Sequence, residues 1–145
     1  MDTLTLLVKT FSNNFVNSYR AHSVHFNVTG PNFYGLHKLL QKIYEDSEAI
    51  QDDLGELIRS LGAFAPESIE EILSHAELDT GKPPGEDTID LLEFVLDGQE
   101  YMIECYNLLE EAAEEEEHDD IANFAQDRLR KHKKNAWMIR ASLES

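Results

Sequence analysis

Phe33-Tyr34-Gly35-Leu36-His37-Lys38-Leu39-Leu40-Gln41-Lys42-Ile43-Tyr44-Glu45-Asp46-Ser47-Glu48-Ala49-Ile50-Gln51-Asp52-Asp53-Leu54-Gly55-Glu56-Leu57-Ile58-Arg59-Ser60-Leu61 is the stretch that decides the fold. Leu36, Leu40, Ile43, Ser47, Ile50, Leu54, Leu57 and Leu61 step along it by four and three. That spacing puts them on one stripe of a long α-helix facing a core. Asp52 and Glu56 are four residues apart and share a different face, roughly opposite Leu54 at ~100° per residue. His37, Gln41, Glu45 and Glu48 point broadly the same way. Taken alone, such a polar face is an ordinary solvated one.

Punctuation on both sides sets the length of this helix. Thr29-Gly30-Pro31-Asn32 is a turn signal before it. Gly62 follows it as a C-terminal cap, with Pro66 close behind. Upstream, a first helix is predicted over Thr3–Phe26. Downstream, a third runs over Asp87–Glu116 with Leu92, Val95, Gln99, Met102, Tyr106, Leu109 and Ala113 in phase, and a fourth over Asp119–Leu143. The connection from Gly62 to Glu86 is long. It holds a short amphipathic piece, Ser68–Ala76, opened by Ser68 and Glu71 as a capping box, and it closes on Pro83-Pro84-Gly85. The expectation is all-α, with four long helices as a single domain over 1–145 and a short extra helix in the crossover between the second and third. One long crossover is a feature of ferritin-like bundles.

The chain has 145 residues, of which 41% are apolar, enough for a packed core. No apolar run is long enough to span a membrane. The start, Met1-Asp2-Thr3-Leu4, does not read as a signal peptide, and the single Cys105 cannot form an intrachain disulfide. A cytoplasmic setting is expected. Twelve Lys and Arg against 29 Asp and Glu give a net charge of −17, a surface that repels nucleic-acid phosphate and draws in cations.

Histidines sharpen the cation reading. His22 and His25 stand near the end of the first helix and His37 opens the second. Imidazole and carboxylate together suit iron or zinc. His132 falls on the inner stripe of the fourth helix and reads as structural. His22 falls on the inner stripe with Phe11 and Phe15, which suits packing or support beside a site. His25 and His37 are the better ligand candidates. A metal centre inside one bundle needs two Glu-x-x-His motifs; only Glu115 to His118 matches. There is no His-Glu-x-x-His motif, Gly-rich phosphate loop or Ser-His-Asp arrangement.

His25-Phe26-Asn27-Val28-Thr29-Gly30, then Phe33 and Leu36-His37, resembles the signature of the DNA-protection-during-starvation (Dps) proteins, the mini-ferritins of the ferritin-like superfamily. Asp52-Asp53-Leu54-Gly55-Glu56 resembles that family's Asp-x-Ile-Ala-Glu, and His132 to Arg140 resembles its last-helix segment. The likeness covers nearly the whole chain. It implies a ferritin-like four-helix bundle assembled as a hollow homo-dodecamer of two-fold dimers. It implies a ferroxidase that oxidises ferrous iron, with hydrogen peroxide or oxygen as oxidant, and stores ferric mineral, limiting oxidative damage. It assigns the catalytic iron ligands as His25 and His37 from one chain and Asp52 and Glu56 from its neighbour. His22 and Gln41 then lie close by, and Glu116, Asp119 and Asp120 line an iron-entry pore.

Three departures stand out. Phe26 replaces the family's Trp, Gln41 stands where a carboxylate often helps hold a second iron, and the basic tail many members use on DNA is missing, Lys9 being the first basic residue. The alternative is a DNA-protecting or compacting protein of the same type with little ferroxidase activity, which a gel shift discriminates. A scaffold with a decayed site is a third class, which iron titration discriminates.

Geometry adds an argument that does not need the family. His37 and Asp52 are 15 residues apart on one helix, hence ~22 Å apart at 1.5 Å per residue. Metal–ligand bonds are only ~2 Å long. The two cannot share an ion within one chain, but an antiparallel two-fold partner brings them together if the axis passes near Asp46 and Ser47.

Overall fold

A computed structural model describes residues 1–144; Ser145, the last residue of the unit read from the sequence, lies outside them. Five helices follow one another: α1 (Thr3–Asn27), α2 (Phe33–Ser60), α3 (Ile69–His75), α4 (Thr88–Glu115) and α5 (Asp119–Leu143). No strand occurs among the described residues, and the expected all-α bundle with a short crossover helix is what is observed. α1 runs one residue past its expected end, and the ends of α2, α3 and α4 fall one residue inside theirs because the outermost positions are caps: Asp87 caps α4 by accepting from Asp90 N, and Ser68 caps α3 by accepting from Glu71 N. The capping box is shifted: Glu71 accepts from the backbone of Glu67 instead of Ser68.

The long crossover sets the topology. The turn after Val28 reverses the chain, so α2 runs antiparallel to α1. Thr3 N bonds Glu116 Oε1 at 2.8 Å, and Thr88 Oγ1 bonds Thr29 O at 3.0 Å. The end of α4 therefore sits at the start of α1, and the start of α4 at the α1–α2 turn. α4 thus runs parallel to α2, and α5 returns beside α4. Two buried side chains of α1 clamp the crossover. Asn13 Oδ1 accepts from Glu77 N and Leu78 N at 2.8 and 2.9 Å, and the Arg20 guanidinium donates to the carbonyls of Asp79 and Phe94.

The apolar interior divides into two clusters. One gathers Leu7, Leu54, Ile58, Met102, Leu109 and Ile121; the other gathers Val24, Leu40, Ile43, Leu92, Val95 and Ile139. Buried polar side chains occur at Asn14, Asn17, Ser47, Gln99, Arg128, His132 and Asn135. Arg128 holds Asp46 with two bonds (3.2 and 2.8 Å) and donates to His132 Nε2 at 3.0 Å. With Nε2 accepting, His132 carries its proton on Nδ1 and gives it to Gln99 Oε1 at 2.7 Å. Burial, then Arg128 and Lys131, push the His132 pKa well below its ordinary value, so the ring is neutral. It is structural, joining α4 to α5 and, through Arg128 and Asp46, to α2.

The α2 stripe needs one correction. Leu36, Leu40, Ile43, Ser47 and Leu54 are buried, but Ile50, Leu57 and Leu61 are only half-buried, while Ile58 is fully buried. Leu57 lies three heptads beyond Leu36, and a straight helix drifts ~20° per heptad. By the last turns that drift has rotated Leu57 off the centre of the core face and brought Ile58 onto it.

Candidate metal centre

α2 is one unbroken helix, so its N-terminal histidine and its carboxylates sit far apart along one rod. At the histidine end, α1 and α2 bring His25 and His37 face to face. Their ring centroids are 3.7 Å apart with planes within 17°. Each ring reaches the other's backbone: His25 Nδ1 lies 2.7 Å from His37 O, and His37 Nδ1 lies 2.8 Å from His25 O. A carbonyl can only accept, so both Nδ1 atoms carry the proton. Both Nε2 atoms are left as lone-pair donors, the tautomer a metal needs. The turn makes this pairing possible. Val28 N closes on Val24 O, Gly30 takes φ 103°, and α2 restarts at Phe33.

At the other end, Asp52, Asp53 and Glu56 are exposed, with carboxylate oxygens within 4.8 Å of one another. The crowding has an electrostatic signature. Asp52, by hydrogen bonding and by charge, then burial and Asp53, hold the Glu56 carboxyl above its ordinary value. A cation between these groups relieves that repulsion. Two free imidazole nitrogens and clustered carboxylates fit iron or zinc.

Of the two places expected for His22, core packing is not what is observed. His22 does not pack into the core beside Phe11 but lies half-exposed on the α1–α2 seam. There it stacks on Tyr44 (3.8 Å, 5°) and Phe26 (4.7 Å), and its Nδ1 is 3.3 Å from Glu48 Oε1. Tyr44 fills the seam at this height, so the inward positions fall to Ala21 and Val24. Gln41 sits one turn beyond His37 and donates to Glu45 Oε1 at 2.5 Å.

The acidic residues between α4 and α5 divide between two helix ends. Asp119 and Asp120 begin α5, where negative charge complements the helix dipole, so only Glu114 to Glu117 oppose it at the end of α4. Glu116 accepts from Thr3 N, which lowers its pKa and caps α1. Glu115 ends α4 and His118 caps α5, so this pair is no helical Glu-x-x-His motif.

Sequence reasoning did not single out Asp53, Tyr44 or the pairing of Asp46 with Arg128. Asp53 follows directly on Asp52, and Tyr44 stands seven residues after His37 on the same helix.

Residues 4–145 match the ferritin-like domain family. The chain belongs to the ferritin-like family. Within it, the likeness is to Dps proteins. A DNA protection during starvation protein from Helicobacter pylori is 27% identical over 143 residues, covering 99% of each chain. The Dps structure from Listeria monocytogenes superposes with a TM-score of 0.93 at 21% identity, covering 99% of this chain and 94% of that one. A Vibrio cholerae Dps structure, described as one of a broad superfamily of ferritin-like diiron-carboxylate proteins, gives 0.90 at 24% identity, covering 98% and 89%. Among the described residues of this Dps-type chain, no helix is long and apolar enough to cross a membrane.

Proposed function

We propose that this Dps-type protein is a ferroxidase and iron store. It oxidises ferrous iron with hydrogen peroxide at sites shared by two chains, and it keeps the ferric product as mineral inside a hollow dodecamer. Iron is here substrate and cargo. The observation that carries the reading is the His25–His37 pair. Two imidazoles, one from α1 and one from α2, are locked by each other's carbonyls with both Nε2 atoms free, and the carboxylate cluster of α2 lies too far along that helix to complete the same site.

A two-fold partner supplies the missing half. Antiparallel pairing of α2 sets His37 against Glu56 and Gln41 against Asp52, with the midpoint between positions 46 and 47. Asp46 and Ser47 point inward, to Arg128 and to the core, so Glu45, Glu48 and Ala49 face the partner. Exposed aromatic rings beside the site, at Tyr34, Phe26 and Tyr19, give that contact an apolar component. His25, His37, Asp52 and Glu56 are then the ligands. Gln41 is a neutral neighbour held by Glu45, so a second iron binds more weakly. Asp119 and Asp120 attract cations to the cavity, while Glu116 is tied to α1. Direct DNA binding is opposed by the charge of −17.

Anaerobic ferrous titration followed by peroxide, with absorbance and stoichiometry recorded, tests the reading. Saturable binding abolished by His25→Ala with His37→Ala, and ferric absorbance on adding peroxide, are expected. Wild-type protein that binds no ferrous iron while correctly assembled overturns it.

A further inference from the structure

We propose that the middle of the bundle is a binding site for buried water, built by Asn14 and Asn17 of α1, Ser47 of α2 and Gln99 of α4. Nothing in this site depends on the ferroxidase reading. A polar layer separates the two apolar clusters. Their buried members stop at Phe11 and resume at Ala21 on α1, stop at Ile43 and resume at Leu54 on α2, and stop at Val95 and resume at Met102 on α4. The four polar residues lie in those intervals and are at most 1% exposed. Hydrogen bonds tie the layer together across the bundle. Asn14 reaches Ser47, Gln99 reaches His132, and His132 reaches Asp46, beside Ser47, through Arg128. Asn17 lies against Gly98, where an added Cβ would collide with Asn17 Oδ1.

The bonds within the layer leave complementary groups over. Asn14 Nδ2 uses both its N–H groups, on Ser47 O at 2.9 Å and Gln51 Oε1 at 2.7 Å, while Asn14 Oδ1 has no partner among the described residues. Gln99 is the reverse. Its Oε1 accepts from His132 Nδ1 at 2.7 Å and from Asn135 Nδ2 at 3.3 Å, while its Nε2 has no partner. Turning either amide over does not mend this. Gln51 Nε2 donates to Phe11 O, so Gln51 Oε1 needs the Asn14 donor, and neutral His132, accepting from Arg128, needs the Gln99 acceptor. Asn17 lacks a partner for both Nδ2 and Oδ1, and Ser47 Oγ lacks one too. Tyr106 Oη and Arg128 Nε, also unbonded, belong to side chains that neighbour each other where Tyr106 stacks on His132, and they stand outside this group.

Buried polar groups are almost always bonded, either to protein or to ordered water. Donors on Gln99 and Asn17, with acceptors on Asn14, Asn17 and Ser47, call for a ligand that both donates and accepts. A metal ion cannot answer N–H donors, and the carboxylate of this layer, Asp46, is already held by Arg128 with two bonds. An anion finds the Arg128 charge already matched by Asp46. The layer is closed off from solvent, so its ligand is small. Water has that size and that chemistry. Five unpartnered atoms on these four residues, at about three bonds per buried water, correspond to roughly two molecules.

The test is a crystal structure of the assembled wild type at a resolution that orders its buried waters, paired with thermal melts of one variant. Wild type should show ordered water bridging the Asn17 amide to Gln99 Nε2, Asn14 Oδ1 or Ser47 Oγ. Asn17→Leu keeps the number and branching of the side-chain heavy atoms and removes every polar one. With water in the layer, the variant strands that water, so it should melt lower than wild type by about 3 °C and lose the bridging water from its own crystal structure. In a dry layer the same change relieves an unbonded amide, and the variant melts higher. Wild-type density that shows no water within hydrogen-bond reach of Asn17, or Asn17→Leu melting higher than wild type, overturns the proposal. If Asn17→Leu does not fold, the wild-type density alone decides it.

Discussion

His37 Nδ1 lies 2.8 Å from the backbone oxygen of His25, and His25 Nδ1 lies 2.7 Å from that of His37. In the proposed site each ring is ligand and support at once: removing one removes the stacking face of the other and leaves a part-buried carbonyl without its side-chain donor. His37→Ala should therefore weaken binding by more than one lost ligand. Loss of such an orienting partner alone costs roughly 10–100-fold in affinity. Titration with cobalt(II), read by its visible spectrum, should show at least that drop in His37→Ala. An affinity within about threefold of wild type would mean that the pair does not bind the metal.

In the proposed site the carboxylate end trades stability for binding. The Glu56 carboxyl is held above its ordinary value, chiefly by hydrogen bonding and charge from Asp52. A raised folded-state value means that the folded chain holds this proton more tightly than the unfolded chain. The stabilising contribution is therefore present at low pH and is lost as pH rises through the raised value. Metal-free wild type should lose stability across that window relative to Asp52→Asn. Asp52→Asn should melt higher at neutral pH in the presence of a chelator, and lower than wild type once metal is added. Thermal melts with and without metal check both signs; identical melting of the two metal-free proteins would remove the argument.

The Asp46–Arg128 pair makes an asymmetric prediction. Arg128's side chain is 5% exposed and Asp46's is 25%. Asp46→Ala strands a buried guanidinium and should cost about 3 kcal/mol, the lower end of the range for breaking a buried pair. Arg128→Met leaves a carboxylate that can still reach water and fills the same space, so it should cost clearly less. Denaturant unfolding of the two metal-free variants decides the order.

Much of this was legible in the sequence, and the misses have physical causes. Periodicity placed α2 and α4 because a long helix repeats its signal many times. It placed Leu57 in the core in place of Ile58, because a strict seven-residue count ignores the drift of a straight helix. It put His22 on an inner stripe because phase along one helix does not say which neighbour occupies the facing space; Tyr44, on another helix, takes it. The His25–His37 stack was invisible for the same reason: a turn's exact path, not spacing, brings two rings within 3.7 Å. The buried network around His132 was half legible. His132 was read as structural and Gln99 was counted in the α4 stripe, but nothing in either helix's spacing showed that the two side chains meet.

The α4–α5 turn carries a correctable strain. α2 ends in a motif where Gly62 takes φ 88°, with Gly62 N bonding Arg59 O and Ala63 N bonding Ile58 O. α4 ends the same way, with Glu117 N to Glu114 O and His118 N to Ala113 O, but the left-handed position is filled by Glu117 at φ 63°. A side chain there costs about 1 kcal/mol, and the negative charge opposes the helix end. Glu117→Gly should stabilise the chain by about 1 kcal/mol, less whatever is lost to the greater freedom of glycine when unfolded. Denaturant unfolding measures it; a destabilised Glu117→Gly would show that the Glu117 side chain makes a compensating contact.

The sharpest prediction follows from the length of α2. The helix is continuous from Phe33 to Ser60, so His37 and Asp52 stay ~22 Å apart whatever the side chains do. A chain lacking His25 and His37 retains its carboxylates, and a chain lacking Asp52 and Glu56 retains its histidines. In a mixed two-fold dimer, one of the two sites then receives all four ligands and the other receives none. His25→Ala/His37→Ala protein and Asp52→Ala/Glu56→Ala protein should each assemble and be nearly inactive. Unfolded together and refolded at equal ratio, they should regain about a quarter of wild-type sites if pairing is random, because half of the dimers are mixed and each holds one intact site. Mass spectrometry on differently tagged chains verifies that mixed oligomers form, and ferrous binding counts the sites. Mixed oligomers that form without recovering any sites would sink the shared-site model, as would a monomeric variant that binds iron as tightly as the assembly.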